Sequence, residues 1–257
     1  IKVKFVSRKM NVVSALMRWI YLSPHLDDAV LSCGGIIAKQ RKAGIPVEIW
    51  NWMSGIPADD MPLSDLARSV HAGWELASAK ETLEARLAED CLAALRVDAF
   101  PRYFDFLDCI YRRADDGEVL YPDEIFVPPH AADENLVTKI AEAIKANLHP
   151  DDILVAPLTI GDHPDHLIVR RAAERIGHPL RYYADIPYTF WCPEQYAEMT
   201  AGLAVEDFSV TDEGLHTWQE GVAAYSSQLT VLFGGEEMMK NALKLNASAK
   251  RGFQLFR

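Results

Sequence analysis

The chain has 257 residues, enough to bury one sizeable α/β core. Its 37 Asp and Glu outnumber 26 Lys and Arg for a formal charge of -11, and it has no basic tract long enough to follow a phosphate backbone, which argues against nucleic acid as its main partner. Four cysteines without a close CxxC pair do not form a zinc ribbon and read as free thiols of a reducing, cytoplasmic compartment.

Residues 1–18 mix basic and apolar side chains without a small-residue cleavage site, and are expected to be an N-terminal extension, with Met17 a natural start. Residues 19–257 are expected to form a single α/β domain, and no stretch within them is apolar enough to span a membrane. Trp19 to Leu22 predicts a short buried strand, Asp27-Asp28 to Ala43 a helix that stops at Gly44, and Val47 to Trp52 a second strand. That order opens a parallel sheet covered by helices, with chemistry assembled in the loops at the strands' C-terminal ends. Ala77 to Leu95 repeats Leu83, Leu87, Cys91 and Leu95 at four-residue spacing and predicts a long helix over the sheet, on which Arg86 and Glu89 read locally as an exposed ion pair.

Asp98 to His130 is an aromatic, turn-rich excursion. Asp133 to Leu148 returns to helical periodicity, Asp152 to Ala156 is a strand, and Pro164 opens a helix that runs toward Gly177. Arg181 to Asp185 predicts a further strand, Val205 to Val210 an edge strand, and Glu213 to Tyr225 and Glu236 to Lys250 two closing helices. The expected fold is an open, mostly parallel, Rossmann-like sheet with helices on both faces.

Two motifs carry chemistry, and both fall where a strand feeds a helix: SPHLDD, Ser23 to Asp28, and GDHPDH, Gly161 to His166. Taken singly, His25 is a loop cap, Asp27 and Asp28 suit the positive end of a helix, His163 is an N-cap and His166 a packed side chain. Taken together, His25, Asp28 and His166 form a metal site of two imidazoles and one carboxylate, with a coordination position left for water. Asp27 then remains as a base, and His163 as a donor to a developing oxyanion. The ligand mix favours Zn2+, and iron, cobalt or manganese also suit it. Gly34-Gly35 lies inside the first helix and does not make the phosphate-cradling GxGxxG of a nicotinamide site.

The chain resembles the PIG-L/LmbE-like family of metal-dependent de-N-acetylases in YLSPHLDDAVLSCGG, ARLAEDCLAALRV, GDHPDH and AAYSSQ, a likeness that covers most of it from Trp19 onward. The resemblance implies an α/β hydrolase that removes an N-acetyl group from an amino sugar or glycoconjugate. It places metal ligands on His25, Asp28 and His166, the general base on Asp27, a transition-state-stabilising histidine on His163 and a supporting aspartate on Asp165. The implied partner is an N-acetylated, sugar-containing small molecule, and the sequence leaves a homo-oligomer open. The alternatives are an amidase releasing another acyl group and a metal-stabilised binding protein without turnover.

Two departures stand out: Leu26 occupies the position where the family commonly has proline, and no tyrosine precedes His163. Arg86 and Glu89 match an Arg-x-x-Glu feature of the family, and Tyr225 to Gln228 a tail pattern that helps close a pocket. Arg68 reads as a surface residue, and Tyr188 and Trp191 read as core, with contact to a sugar's apolar face as the other use of such rings.

Overall fold

A computed structural model describes residues 17–73, 78–249 and 252–257. Residues 1–16 of the expected extension, and the helix ends expected at Ala77 and Lys250, lie outside the described residues. Strand β1, Trp19–Ser23, is buried at all five positions, as a strand covered on both faces requires. It pairs in parallel with β2, Val47–Asn51, on one side and with β4, Ile153–Pro157, on the other. With β3, Phe100–Tyr103, β5, Leu180–Tyr183, β6, Val205–Asp207, and β7, Gln254–Phe256, the order is β3-β2-β1-β4-β5-β7-β6. The first five strands in that row are parallel, and β7 runs antiparallel to β5 and β6.

The two-residue period of β1 separates the core into two layers. Trp19 and Tyr21 face a cluster with Val30 and Ile37 of α1, Asp28–Lys42, Ala93 of α3, Ala79–Arg96, Trp218 of α8, Asp212–Ala223, and Leu243 of α10, Glu236–Ser248. Ile20 and Leu22 face the other cluster, with Ile140 of α4, Glu134–Asn147, and Ile168 and Val169 of α5, Pro164–Arg175. Helices therefore cover both faces, as expected. Gly34 and Gly35 let α1 approach the tail closely: a Cβ on Gly35 would lie 2.3 Å from the Phe253 ring, and one on Gly34 2.6 Å from Trp218.

Four shorter α-helices, α2, Asp65–Gly73, α6, Tyr188–Trp191, α7, Pro193–Thr200, and α9, Ser226–Phe233, and two 3-10 turns at Cys109–Tyr111 and Ala131–Asp133 complete the described residues. None of these was predicted, nor were β3 and β7, and the expected edge strand from Val205 ends at Asp207 rather than Val210. Among the described residues no helix is long and apolar enough to cross a membrane. From β1 the chain builds the sheet in one direction through β2 and β3 and in the other through β4 and β5. The loops after β1 and β4 thus meet at a topological switch point, the crevice where open α/β sheets bind ligands.

Candidate metal centre and active site

The loop after β1 is shaped by its own side chains. Ser23 donates from Oγ to the His25 carbonyl at 2.6 Å and accepts from the Ala29 N–H at 3.1 Å, while Asp28 Oδ2 accepts from the His25 N–H at 2.8 Å. Leu26 is buried in an apolar cluster with Leu83 and Tyr111, so an aliphatic anchor stands in the place of proline. The loop after β4 turns through left-handed backbone at Thr159, Gly161 and Asp162, and at Gly161 a Cβ would lie 2.8 Å from the Tyr188 ring. His163 caps α5, its Nδ1 accepting from the Asp165 N–H at 3.3 Å, and Pro164 fills the first turn.

These loops bring His25, Asp27, Asp28, His163 and His166 together. Asp28 stands between two imidazoles, with Oδ2 3.3 Å from His25 Nδ1 and Oδ1 3.3 Å from His166 Nε2. The far nitrogen of each ring meets a buried carboxylate, His25 Nε2 at 3.0 Å from Asp165 Oδ2 and His166 Nδ1 at 2.9 Å from Asp185 Oδ1. Nitrogens of His25, His163 and His166 all lie within 4.8 Å of one another. His166 Nε2 is buried without a hydrogen-bond partner. An orphaned nitrogen beside a carboxylate, on a ring oriented from behind by a second carboxylate, fits a divalent metal.

Electrostatics sort the groups. Burial opposes protonation of His25 and His166, but Asp108, Asp165 and Asp28 around the first ring raise its pKa well above the ordinary value, and Asp28 and Asp185 hold the second at about 9. Burial works to raise Asp28, yet His166 and His25 outweigh it and hold that carboxyl well below the usual range. His163 is pushed well below the ordinary histidine value by burial and by neighbouring His25. It is therefore neutral, and since Nδ1 accepts a hydrogen bond, its proton sits on Nε2.

Asp27 is buried and accepts from Arg86 Nη2 at 3.0 Å. Burial raises its pKa, Arg86 opposes the rise, and Asp28 adds to it. The exposed Arg86–Glu89 ion pair expected from the sequence is not what forms: Arg86 is buried, and Glu89 accepts instead from Ser226 Oγ at 2.7 Å and from Ser227 N and Oγ at 2.8 and 2.7 Å. The tail motif is thereby joined to α3. Arg68 is at the surface as expected, bonded to Asp65 and the Leu63 carbonyl.

Asp165 is fully buried behind His25, held by Arg112 and by the Cys109 N–H at 3.0 Å. Burial acts to raise its pKa, but Arg112 and His25 keep it ionised. Arg112 and Asp185 were missed from the sequence. The one signal for Asp185 is an acid just past a strand's C-terminal end, and Arg112 carries none, being one of two adjacent arginines in an irregular excursion.

His25, Asp27, Asp28 and His163 line a cavity of about 400 Å³, together with Ile110, Phe126, Tyr188, Trp191 and Val231. Tyr188 and Trp191 thus line the cavity rather than merely filling core, and Trp191 is half-exposed. Gln228 of the tail motif also reaches the wall.

The fold and site together define an α/β protein with a candidate His/Asp site for a divalent metal at the switch point of a Rossmann-like sheet. The chain belongs to the PIG-L family, GlcNAc-PI de-N-acetylase, which it matches over residues 20–176. It is 26% identical over 239 residues to 2'-N-acetylparomamine deacetylase of Niallia circulans, covering 86% of this chain and 84% of that protein. It is 33% identical over 183 residues to 2'-N-acetylparomamine deacetylase of Streptomyces fradiae, covering 66% and 57% of the two. Among solved structures, the zinc-inhibited form of teicoplanin deacetylase Orf2 superposes with a TM-score of 0.79 at 28% identity, over 93% of this chain and 97% of that one.

Proposed function

We propose that this chain is a zinc-dependent deacetylase that hydrolyses the acetamide of an N-acetylated amino sugar, free or within a glycoconjugate, to acetate and an amine. The observation that carries the reading is the convergence of His25 Nδ1 and His166 Nε2 on Asp28, with a second, differently held carboxylate, Asp27, next to it in the cavity lining. Two relatives are 2'-N-acetylparomamine deacetylases and a structural neighbour is a teicoplanin deacetylase, which supports an acetylated amino sugar as the substrate class here.

In this reading His25, Asp28 and His166 hold Zn2+, which when bound lowers the pKa of a water and polarises the acyl oxygen. Asp27 accepts the proton of the attacking water and returns it to the departing amine, a double task suited to a carboxylate raised by burial. Arg86 fixes which way Asp27 faces. Neutral His163 donates from Nε2 to the oxygen that gains charge as the carbonyl becomes tetrahedral. Asp165 and Asp185 act through the rings they hold, setting tautomer and direction.

The test compares acetate release from N-acetylated amino sugars and glycoconjugates by zinc-loaded protein and by an Asp27→Asn variant of matched metal content. Turnover by the first is expected, with a loss of about 10²- to 10⁴-fold in the second. Acid release from another acyl amide alone would replace acetate by that acyl group, and inactivity toward every amide would sink the hydrolase reading. Metal analysis of the active protein decides between zinc and other divalent ions.

A further inference from the structure

Behind His25 lies a chain of buried groups whose farther members belong largely to the excursion after β3. His25 Nε2 is 3.0 Å from Asp165 Oδ2, which also accepts from the Cys109 N–H at 3.0 Å, and the other oxygen, Oδ1, accepts from Arg112 Nη1. Arg112 in turn donates from Nε to Asp133 Oδ2 at 3.2 Å, and its Nη2 lies 3.0 Å from the same oxygen. Its Nη1 also reaches the Leu107 carbonyl at 3.1 Å, and the Tyr121 hydroxyl donates to Asp133 Oδ2 at 2.5 Å. Asp165, Arg112, Asp133 and Tyr121 are all buried. A charge left unpaired there would cost far more than one at the surface, so each group holds its neighbour in place.

The donors around Asp165 decide what His25 can do. A backbone N–H and a guanidinium give hydrogen bonds and accept none, so both Asp165 oxygens are acceptors. The group that Asp165 Oδ2 meets at His25 Nε2 is then a donor, and a ring that keeps its proton on Nε2 has its lone pair on Nδ1, the nitrogen 3.3 Å from Asp28. Asp108 Oδ2, at 3.7 Å from His25 Nε2, is too distant to replace Asp165 as the hydrogen-bond partner. The two rings are not backed alike: behind His166, Asp185 has the Ile160 N–H at 3.1 Å and, among the described residues, no arginine or lysine.

We infer that Arg112, clasped by Asp133, is a positioning residue of the metal centre: it holds Asp165 as an acceptor and so leaves the His25 Nδ1 lone pair for the ion. This role rests on the reading of His25 as a metal ligand, and it stands whichever amide the protein hydrolyses. It also gives the excursion a task at the site. Leu107, Cys109, Arg112 and Tyr121 all belong to it, and the 3-10 turn at Cys109–Tyr111 both supplies an N–H to Asp165 and carries Arg112 at its end.

The test is zinc affinity, measured by chelator competition, with folding followed by circular dichroism. Arg112→Lys keeps the buried charge, but one ammonium cannot serve Asp165 and Asp133 together as the planar fork does. It is expected to bind zinc about 10- to 100-fold more weakly than the unsubstituted protein, as when a partner behind a metal ligand is lost. Asp165→Asn should lose a similar amount, and adding Arg112→Lys to it should change affinity by less than about twofold, because the arginine acts through the carboxylate. Equal losses in the two backgrounds would make Arg112 a general structural support, and full affinity in Arg112→Lys would make it idle; either overturns the inference. If Arg112→Lys does not fold, isosteric Asp133→Asn takes its place, with weaker zinc binding expected and unchanged affinity again contrary. His25→Ala separates the two readings. If it binds zinc as tightly as the unsubstituted protein, the ligand assignment falls and the inference with it; weak binding there beside full affinity in Arg112→Lys removes the inference alone.

Discussion

His166 has its two nitrogens in different surroundings, Nδ1 against Asp185 at 2.9 Å and Nε2 against Asp28 at 3.3 Å with no hydrogen bond of its own. Because the two carboxylates outweigh burial and hold the ring's pKa at about 9, a metal arriving below that pH must displace a proton. Metal affinity is therefore expected to rise with pH and to level off above about 9, which competition with a chromophoric chelator across that range would show; pH-independent affinity would mean the ring is already neutral. Asp185→Ala removes one of the groups that raise the ring and the one that orients it, so the plateau should begin at lower pH while its height falls by about 10- to 100-fold. Unchanged affinity in that variant would confine Asp185 to holding the Ile160 N–H, its other partner, at 3.1 Å. The residues in the two motifs were legible because each lies within a few positions of a strand end, where sequence distance and spatial distance agree. Asp185 and Arg112 were not, because their roles depend on partners 19 and 53 positions away along the chain. For Arg86 the local pattern pointed to a neighbour one turn away, and burial of the guanidinium decided otherwise.

On α3, two adjacent acids fasten different parts of the molecule. Glu89 takes three hydrogen bonds from the first residues of α9, and Asp90 takes three more, from Tyr225 at 2.8 Å, Tyr103 at 2.8 Å and Asn51 at 2.9 Å. Through them α9, with Val231 and Gln228, is fixed beside β2 and β3. Burial raises Asp90 to about 7, against the lowering effect of the tyrosine hydrogen bonds. Between its unfolded value near 3.8 and about 7 the folded state holds a proton that the unfolded chain has lost, so this group's contribution to stability falls as pH rises through that window. Once ionised in both states it costs on the order of 4 kcal/mol. Asp90→Asn should therefore gain on the unsubstituted protein as pH rises from about 5 to about 8, read as the difference of their thermal midpoints; a difference that does not change with pH would show that Asp90 is ionised throughout. The long helix itself was legible from its four-residue apolar repeat. α9 and β7 were not: Ser226–Phe233 follows α8 after two residues, so the expected helix merely seemed to end at Tyr225, and a three-residue strand has too short a period to read.

At the scale of the whole chain, the sheet places residues 25, 28 and 166 on loops from its two halves, so an ion held by them joins what β1 carries to what β4 carries. The fold was readable to this extent because strands buried on both faces alternate with amphipathic helices, a pattern that fixes a parallel sheet without any pair of residues being known. Its closing antiparallel strands depend on pairings between Val205–Asp207 and Gln254–Phe256, which no local pattern reveals. With the ligand set proposed above, metal is expected to be a stability determinant. An ion that binds the folded chain and not the unfolded one contributes about 2.7 kcal/mol when present at about 100 times its Kd. For a chain of this size that corresponds to roughly 5–10 °C in thermal midpoint. Chelation is expected to lower the midpoint by about that much, and the buried acids Asp27, Asp28, Asp165 and Asp185 around the site give the ion a negative environment whose mutual repulsion it relieves. In Asp28→Asn the chelator should have little further effect, because the carboxylate between the two rings is gone. A midpoint insensitive to chelation in the unsubstituted protein would mean that the charge pairing of Asp28 with His25 and His166 holds the switch point without an ion.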